Sequence, residues 1–406
     1  MRILYLTQWF EPEPMIKGVT FARALADRGH EVEVITGFPN YPTGKLYPGY
    51  RLALFKREVI DGITVNRVPL YPSHDGSSLN RILNYFSFCA SAGLYAATRA
   101  GRFDVIYAYP PPTVGLAAAF AGGLSRTPFV LDIQDLWPDS VLTSGMAGTG
   151  RMTAILNLLC NFVYRKAAKI LAQSAGIAGK LIERGVPADK IATVYNWADE
   201  DAAAASGRHD LARYGFEGRF NIVYGGNLGR VQGLDTLVRA AHLAAARAPE
   251  IQLLLIGDGI ESATLAALVA ELGAGNVRLA PGIPRAEVGD VFAAADVLTL
   301  HLWNDPLFEI TIPQKTQFYL AMGKPVLIGV KGEASDFVVK AGAGLAVEPQ
   351  NAEAMADAMV AMARMPKAEL DAMGRRGRRA YEAQFAFATA IERTEAMLES
   401  AIAAHR

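Results

Sequence analysis

Cysteine is nearly absent. Cys89 and Cys160 are the only two in 406 residues, so a disulfide scaffold is excluded and no cysteine cluster has metal-ligand spacing. Both lie in apolar helical runs, which predicts buried thiols in a reducing compartment. Net charge is absent too. Forty Lys and Arg balance forty Asp and Glu, so no global field favours nucleic acid or membrane, and any basic patch must be local. Long hydrophobic runs are missing. The longest uncharged helical stretch, Ile82 to Thr98, is near the lower limit for a span and is diluted by Asn84, Ser87, Ser91 and Thr98; the run Met152 to Tyr164 is shorter. The N-terminus, MRILYLTQWF, reads as a strand with no cleavable signal pattern. Together these absences predict a cytoplasmic protein that touches a membrane without crossing it. There is no sequence repeat and no low-complexity tract.

What remains is an ordinary globular composition, about half apolar, long enough for two or three domains. The first half alternates apolar runs with helical segments. Strands are predicted at Ile3–Thr7, Glu31–Thr36, Asp104–Tyr109, Pro128–Ile133, Lys169–Gln173 and Lys190–Tyr195, and a hairpin over Arg57–Pro69 turns at Asp61-Gly62. Continuous apolar strands such as PFVLDI belong to a parallel sheet covered on both faces. Residues 198–208, alanine-rich and without apolar periodicity, read as a linker. Alternation then restarts, with strands predicted at Asn221–Tyr224, Ile251–Ile256, Val277–Leu279, Val297–Leu302 and Pro325–Val330. Lys367 to His405 reads as wholly helical. The pattern predicts an α/β protein of two doubly wound, Rossmann-like parallel-sheet domains, residues 1–197 and 209–384, with a final helix about 385–406 packing back on the first. The active site is expected in the cleft at the carboxyl ends of the strands.

Chemistry concentrates in the second half. The turn GGNLGRVQGLDTL carries Gly225, Gly226 and Gly229 for close backbone approach, with Asn227, Arg230 and Gln232 placed to meet an anion. It is not the dinucleotide fingerprint, because the third glycine is wrongly spaced and no convincing ribose acid follows the next strand. Later strands end in Gly257-Asp258-Gly259, in Pro281-Gly282-Ile283 and near His301-Leu302-Trp303. The stretch LFEITIPQKTQFYLAMGKPVLIGV then supplies Glu309, a loop with Thr311, Ile312 and Pro313, and a helix with Lys315 and Thr316 in its first turn, stopped at Gly323. A helix start bearing a lysine suits a phosphate. These strand ends describe a nucleotide seat, with the base near Gly282 and Ile283, diphosphate over Arg230 and Lys315, and a sugar near Glu309.

Over nearly its whole length the chain resembles the retaining glycosyltransferases of family 4, of GT-B fold. The resemblance rests on Gly18 with RGHEVEVIT (Arg28 to Thr36), DLWPDS (Asp135 to Ser140), YNWAD (Tyr195 to Asp199), GGNLGRVQGLDTL, LIGDG, ADVLTLHL (Ala295 to Leu302) and AMGKPVLIGV. Its nearest branch is the lipopolysaccharide and capsule type, similar to WbuB-type L-fucosamine transferases. The resemblance implies a nucleotide-sugar donor, UDP-linked, on the C-terminal domain and a lipid-diphosphate-linked or glycan acceptor on the N-terminal domain. It also implies retained anomeric configuration, with neither metal nor cofactor. Glu309 would hold donor sugar hydroxyls, Asp135 or Asp132 would orient the acceptor, and Gly18 would let backbone near the diphosphate.

The sequence departs from the wider family at several contacts. An arginine and a lysine usual after the first C-terminal strand are here Asn227 and Gln232. Glu309 lies one residue from the usual first glutamate, Phe318 replaces the second, and Gln134 precedes Asp135 where histidine is frequent. Each lost charge-assisted bond removes roughly 1.5–3 kcal/mol unless replaced. Arg230 and Lys315 are the expected replacements, with Gln317 for the ribose. Basic residues Lys45, Arg51, Lys56, Arg57 and Arg67, and a second group Arg165, Lys166 and Lys169, adjoin apolar helices and suit an anionic bilayer surface. Two competing readings are a sugar-nucleotide epimerase on the same plan, which needs a cleft histidine such as His301, and a donor-binding protein without catalysis.

Overall fold

The computed structural model describes residues 1–73, 78–139, 150–204, 206–207 and 211–405. They form two compact units, Met1–Val194 with Ile391–Arg406, and Tyr195–Ala390. Ser140, Ala205, Arg208 and Arg406, which the motif, linker and last-helix readings included, lie outside the described residues.

The first unit holds an eight-stranded sheet of β1 (Arg2–Leu6), β2 (Glu31–Gly37), β3 (Lys56–Ile60), β4 (Ile63–Val68), β5 (Val105–Ala108), β6 (Phe129–Ile133), β7 (Lys169–Ala172) and β8 (Ile191–Thr193). Their order is β3-β4-β2-β1-β5-β6-β7-β8. All neighbours are parallel except β3 and β4, whose antiparallel pairing turns at Asp61 and Gly62, both at positive φ. β1, β5 and β6 are buried over nearly their whole length, as helices on both faces require. The last helix, Phe387–His405, begins in the second unit, and from Ile391 on its residues count with the first. There Glu395 pairs with Arg28 at 2.6 Å and with His30 at 2.6 Å, tying the helix to the start of β2.

The second unit holds six parallel strands: β9 (Phe220–Gly225), β10 (Ile251–Ile256), β11 (Val277–Ala280), β12 (Val297–His301), β13 (Val326–Gly329) and β14 (Gly344–Ala346), in the order β11-β10-β9-β12-β13-β14. The α/β architecture of two doubly wound parallel sheets is as the sequence predicts. Three details differ. β14 is an added edge strand, too short for a hydrophobic pattern. The C-terminal helical segment breaks at Phe385 into Lys367–Gln384 and Phe387–His405, where Phe385 is fully buried against Tyr381 and Phe337. The expected linker is no free tether. Asp199 caps a short helix, Glu200–Ala203, and pairs with Arg285, while Ala198 and Ala203 are buried in the second unit's core.

Strand order reverses beside β1 in the first unit, between β2 and β5, and beside β9 in the second, between β10 and β12. A ligand crevice is expected at the carboxyl ends of the strands at each point. Among the described residues, no helix is long and apolar enough to cross a membrane.

Candidate functional site

In the second unit the chain leaves β9 through Gly225 and Gly226, at the switch point. Gly226 has φ +134°, and a Cβ there would fall 2.5 Å from Lys315 Cε and 2.9 Å from its Nζ. The lysine therefore lies directly on this turn, reaching from the first turn of helix Gln314–Ala321. Its ammonium stands 5.0 Å from the centre of the Tyr224 ring, on the strand's last inward residue. No anionic or carbonyl partner meets it among the described residues. Burial lowers its pKa below the ordinary lysine value. An unpaired, partly desolvated cation on a glycine turn is a ready anion site.

The neighbouring strand end closes tightly around the same turn. At Gly257, φ +150°, a Cβ would meet the Gly226 carbonyl oxygen at 1.8 Å, and one on Gly259 would meet Leu228 O at 2.2 Å. The Asp258 carboxylate accepts from the Gly282 N–H at 3.2 Å, joining the ends of β10 and β11. Ile283 packs against the core beside it. Asn227 is exposed, while the Gln232 Oε1 is buried without a partner among the described residues. Both side chains crowd Gly229, whose Cβ would fall 2.6 Å from Gln232 Oε1 and 2.7 Å from Asn227 Nδ2.

Several expected contacts are placed differently. Arg230 does not lie free for phosphate: it is exposed and its Nε donates to Glu261 at 3.2 Å. Thr316 is fully buried, so its hydroxyl is not offered at the surface. Gln317 is buried as well, its amide facing the Pro313 and Gln314 carbonyls of its own helix start, which removes it as a ribose contact. Phe318 packs edge-on against Phe292, 5.7 Å between ring centres. Glu309 is exposed at the end of helix Pro306–Glu309. Asp305 caps that helix, Thr311 Oγ1 donates to the Leu307 carbonyl at 3.1 Å, and Ile312 is buried beneath. The structure thus gathers Gly226, Gly257 and Lys315 into one contact group, and Asn227 with Gln232 into another.

His301 ends β12 and is buried. The Gln350 N–H donates to its Nε2 at 2.8 Å, so the ring proton is on Nδ1, which donates to the Gln232 carbonyl at 2.8 Å. Both nitrogens are occupied in holding the turn, which takes away the free histidine that the epimerase reading needs.

In the first unit Asp132 is buried at the end of β6. Its Oδ2 pairs with Lys17 and accepts from Tyr107, and its Oδ1 accepts from Gln134 Nε2 at 2.6 Å. Lys17 is equally buried, between the rings of Phe21 and Tyr109. With both oxygens taken, Asp132 fastens the crevice floor and is not presented to a ligand. Asp135 is different. It is exposed as a residue, and its carboxyl has no hydrogen bond or ion pair among the described residues; the protein packed around the carboxyl raises its pKa. At Gly18 the expected open backbone is covered. Glu11 Oε1 accepts from the Val19 N–H at 2.8 Å and would lie 2.1 Å from a Cβ on Gly18.

Sequence reasoning passed over Lys17, although it adjoins Gly18, and Tyr224, although it ends the strand before the glycines. Cys160 is buried and Cys89 half-buried, with both thiols pushed up to about 11 by burial. Among the described residues no group of three or more His, Cys, Asp or Glu is gathered for a metal ion.

Residues 20–197 match the family described as "Glycosyl transferase 4-like domain", and residues 219–365 match "Glycosyl transferases group 1". The chain is 31% identical over 275 residues to WcaI of Escherichia coli K12, provisionally named a colanic acid biosynthesis glycosyl transferase; the match covers 63% of this chain and 65% of WcaI, just under two thirds of that relative. It is 26% identical over 365 residues to a D-inositol 3-phosphate glycosyltransferase of Kribbella flavida, covering 86% of this chain and 81% of that one. The fold superposes on crystalline Anabaena HepE in complex with UDP, with TM-score 0.71, 17% identity, and coverage of 98% and 100%.

Proposed function

We propose that the chain is a GT-B glycosyltransferase, as its matches to two glycosyl transferase family models support, and that it transfers a sugar from a nucleotide-diphosphate donor, UDP-linked, to a lipid-linked or glycan acceptor with retention at the anomeric carbon. The lipopolysaccharide and capsule branch, with an amino or deoxy sugar as donor group, is the assignment its motifs favour. WcaI, named for colanic acid biosynthesis, supports the cell-surface polysaccharide role, and the UDP in HepE supports the nucleotide.

The observation that carries this reading is the Lys315 ammonium, unpaired among the described residues, on the Gly226 turn at the switch point. In the reaction the bond from the sugar's C1 to the diphosphate oxygen breaks, and negative charge develops on that oxygen. Lys315 and the start of helix Gln314–Ala321 stabilise it, so the site works through a fixed cation rather than a metal. A bond from C1 to the acceptor oxygen forms on the same face. The acceptor's hydroxyl proton passes to the departing phosphate. Asp135 orients that hydroxyl and exposed Glu309 holds donor hydroxyls.

The reading places the protein at the inner face of the plasma membrane, as a peripheral protein. Support comes from first-unit apolar residues in the open, Leu54 at 90% exposure and Leu79, Leu94 and Leu158 at 65% each, with exposed Arg165 and Lys166 beside them in sequence. Arg67 does not belong to that basic surface: it is fully buried and bonded to Glu58, Glu11 O and Gly37 O. Lys169 is held by the Asp189 carbonyl at 2.8 Å.

Incubation with a panel of UDP-sugars and a prenyl-diphosphate-linked sugar, followed by mass spectrometry of the lipid fraction, tests the function. A lipid-linked glycan one sugar longer is the expected product. An epimerised nucleotide sugar, or no donor-induced thermal shift with any UDP-sugar, overturns it.

A further inference from the structure

On the second unit, a nucleotide with its phosphates at Lys315 and its base at the Gly282–Ile283 strand end must lay its pentose across the surface between them. That path runs from the end of β9 past β10 toward β11, which follow one another in the sheet. Phe318 stands where the path begins. It lies one helical turn after Lys315, so the two side chains leave the same face of helix Gln314–Ala321. Its half-buried ring packs edge-on against Phe292, 5.7 Å between ring centres. Phe292 in turn presses on the glycine turn, where a Cβ on Gly225 would fall 2.1 Å from its Cζ. Phe318, Phe292 and Ile283 share one core. The wall between the phosphate seat and the strand end is therefore apolar.

The polar side chains beside this wall are committed elsewhere. Gln317 turns its amide to the Pro313 and Gln314 carbonyls, and Thr316 is fully buried. The Tyr319 hydroxyl accepts from the Gly225 N–H at 3.1 Å. On helix Arg285–Ala293, which carries Phe292, Arg285 pairs with Asp199, Glu287 pairs with Arg213, and Asp290 accepts from the backbone N–H groups of Ser206 and Gly207. The Asp258 carboxylate holds the Gly282 N–H. The backbone of exposed Glu309 lies against Gly332, after β13, which is on the far side of β12 from this path.

A pentose hydroxyl laid against Phe318 would give up its water and gain no partner there, whereas a bare C–H edge loses nothing. A site built around a hydroxyl rejects the analogue that lacks it by orders of magnitude, and an apolar wall does not.

We propose that Phe318 is a specificity-determining residue that leaves the donor's ribose 2′-hydroxyl unread, so that the site takes a 2′-deoxyribonucleoside diphosphate sugar as readily as its ribonucleoside counterpart. The inference rests on the glycosyltransferase reading and widens the donor class of that same site.

Calorimetric titration of the full chain with UDP and with 2′-deoxy-UDP is the test. The two should bind within about threefold of each other. Phe318→Glu sets a carboxylate where the ring stands and should give UDP an advantage of about tenfold or more. Phe318→Gln should move the ratio in the same direction by less, and it serves in place of the glutamate variant should that one fail to fold. Wild-type protein that binds UDP about tenfold or more tighter than 2′-deoxy-UDP overturns the proposal, and loss of that preference in Asp258→Asn would then put the ribose on Asp258. A ratio near one in wild type and in both variants also overturns it, because Phe318 would then decide nothing. UDP binding with a strong ribose preference sinks this inference alone. Binding of neither nucleotide sinks the glycosyltransferase reading together with it.

Discussion

Lys315 and Gly226 are in direct contact: a single added Cβ at Gly226 would stand 2.5 Å from the lysine's Cε. The glycine is therefore as necessary to the cation's position as the lysine itself. Lys315→Ala should lower affinity for a UDP-sugar by about 10- to 100-fold, the worth of a charge-assisted bond in a partly dry site. Gly226→Ala should do nearly the same, because at φ +134° the new side chain is strained and displaces Lys315. Arg230→Ala should cost only a few-fold, since that arginine is exposed and paired with Glu261. Donor titration by thermal shift checks all three, and equal affinity in wild type and Lys315→Ala would refute the phosphate role.

His301 makes the same turn sensitive to pH. Burial lowers its pKa below 6.5, against the opposing pull of the Gln232 carbonyl. The fold prefers the neutral ring, so its contribution is fully present above pH 6.5 and is lost as pH falls through the lowered folded value. Protonation would put an N–H at Nε2 against the Gln350 N–H. Wild type should therefore hold a melting-temperature advantage over His301→Gln at pH 7.5, and that advantage should shrink toward pH 5. An advantage constant across that range would contradict the assignment.

Lys17 and Asp132 are a buried ion pair, which sets a different signature for Asp132 than for Asp135. Lys17→Met should destabilise the protein by about 3–5 kcal/mol by leaving the carboxylate unpaired in the interior, and a second change, Asp132→Leu, should recover much of that loss. Asp135→Asn should leave stability nearly unchanged and reduce turnover by about 100-fold, the order expected when a group that orients a reacting hydroxyl is lost. Urea denaturation and initial rates on the same samples distinguish the two aspartates.

The fold was legible where physics is local. A strand covered on both faces is apolar over most of its length, so FVLDI and IQLLLI announce themselves despite Asp132 and Gln252, and Asp61-Gly62 supplies the positive φ values of a hairpin. It was illegible where distant residues decide. Nothing near Asp132 says that Lys17, 115 residues earlier, will neutralise it. Nothing near Arg67 says that Glu58 and the carbonyls of Glu11 and Gly37 will bury it. Glu200–Ala203 looked like a tether because the Asp199–Arg285 pair that anchors it spans 86 positions. On the donor side, glycine recurrence marked the strand ends correctly as places of close approach, but the partners at those approaches are tertiary.

Gly332 presses on the backbone of Glu309, and this gives the donor-sugar side its own test. Gly332 has φ +84°, and a Cβ there would meet the Glu309 carbonyl oxygen at 2.1 Å and its Cα at 2.5 Å. Backbone on both sides leaves no flexible group to yield, so Gly332→Ala must shift helix Pro306–Glu309. Glu309→Gln removes only the charge from an exposed side chain. If Glu309 holds donor hydroxyls, both variants should lose about tenfold or more in kcat/KM for the sugar nucleotide while binding UDP alone as wild type does. The sugar-free nucleotide is the discriminating ligand, because it reports on Lys315 and Gly226 without involving Glu309. A Glu309→Gln variant with unchanged kcat/KM, alongside an impaired Gly332→Ala, would assign the sugar contact to the backbone of this loop instead of the carboxylate.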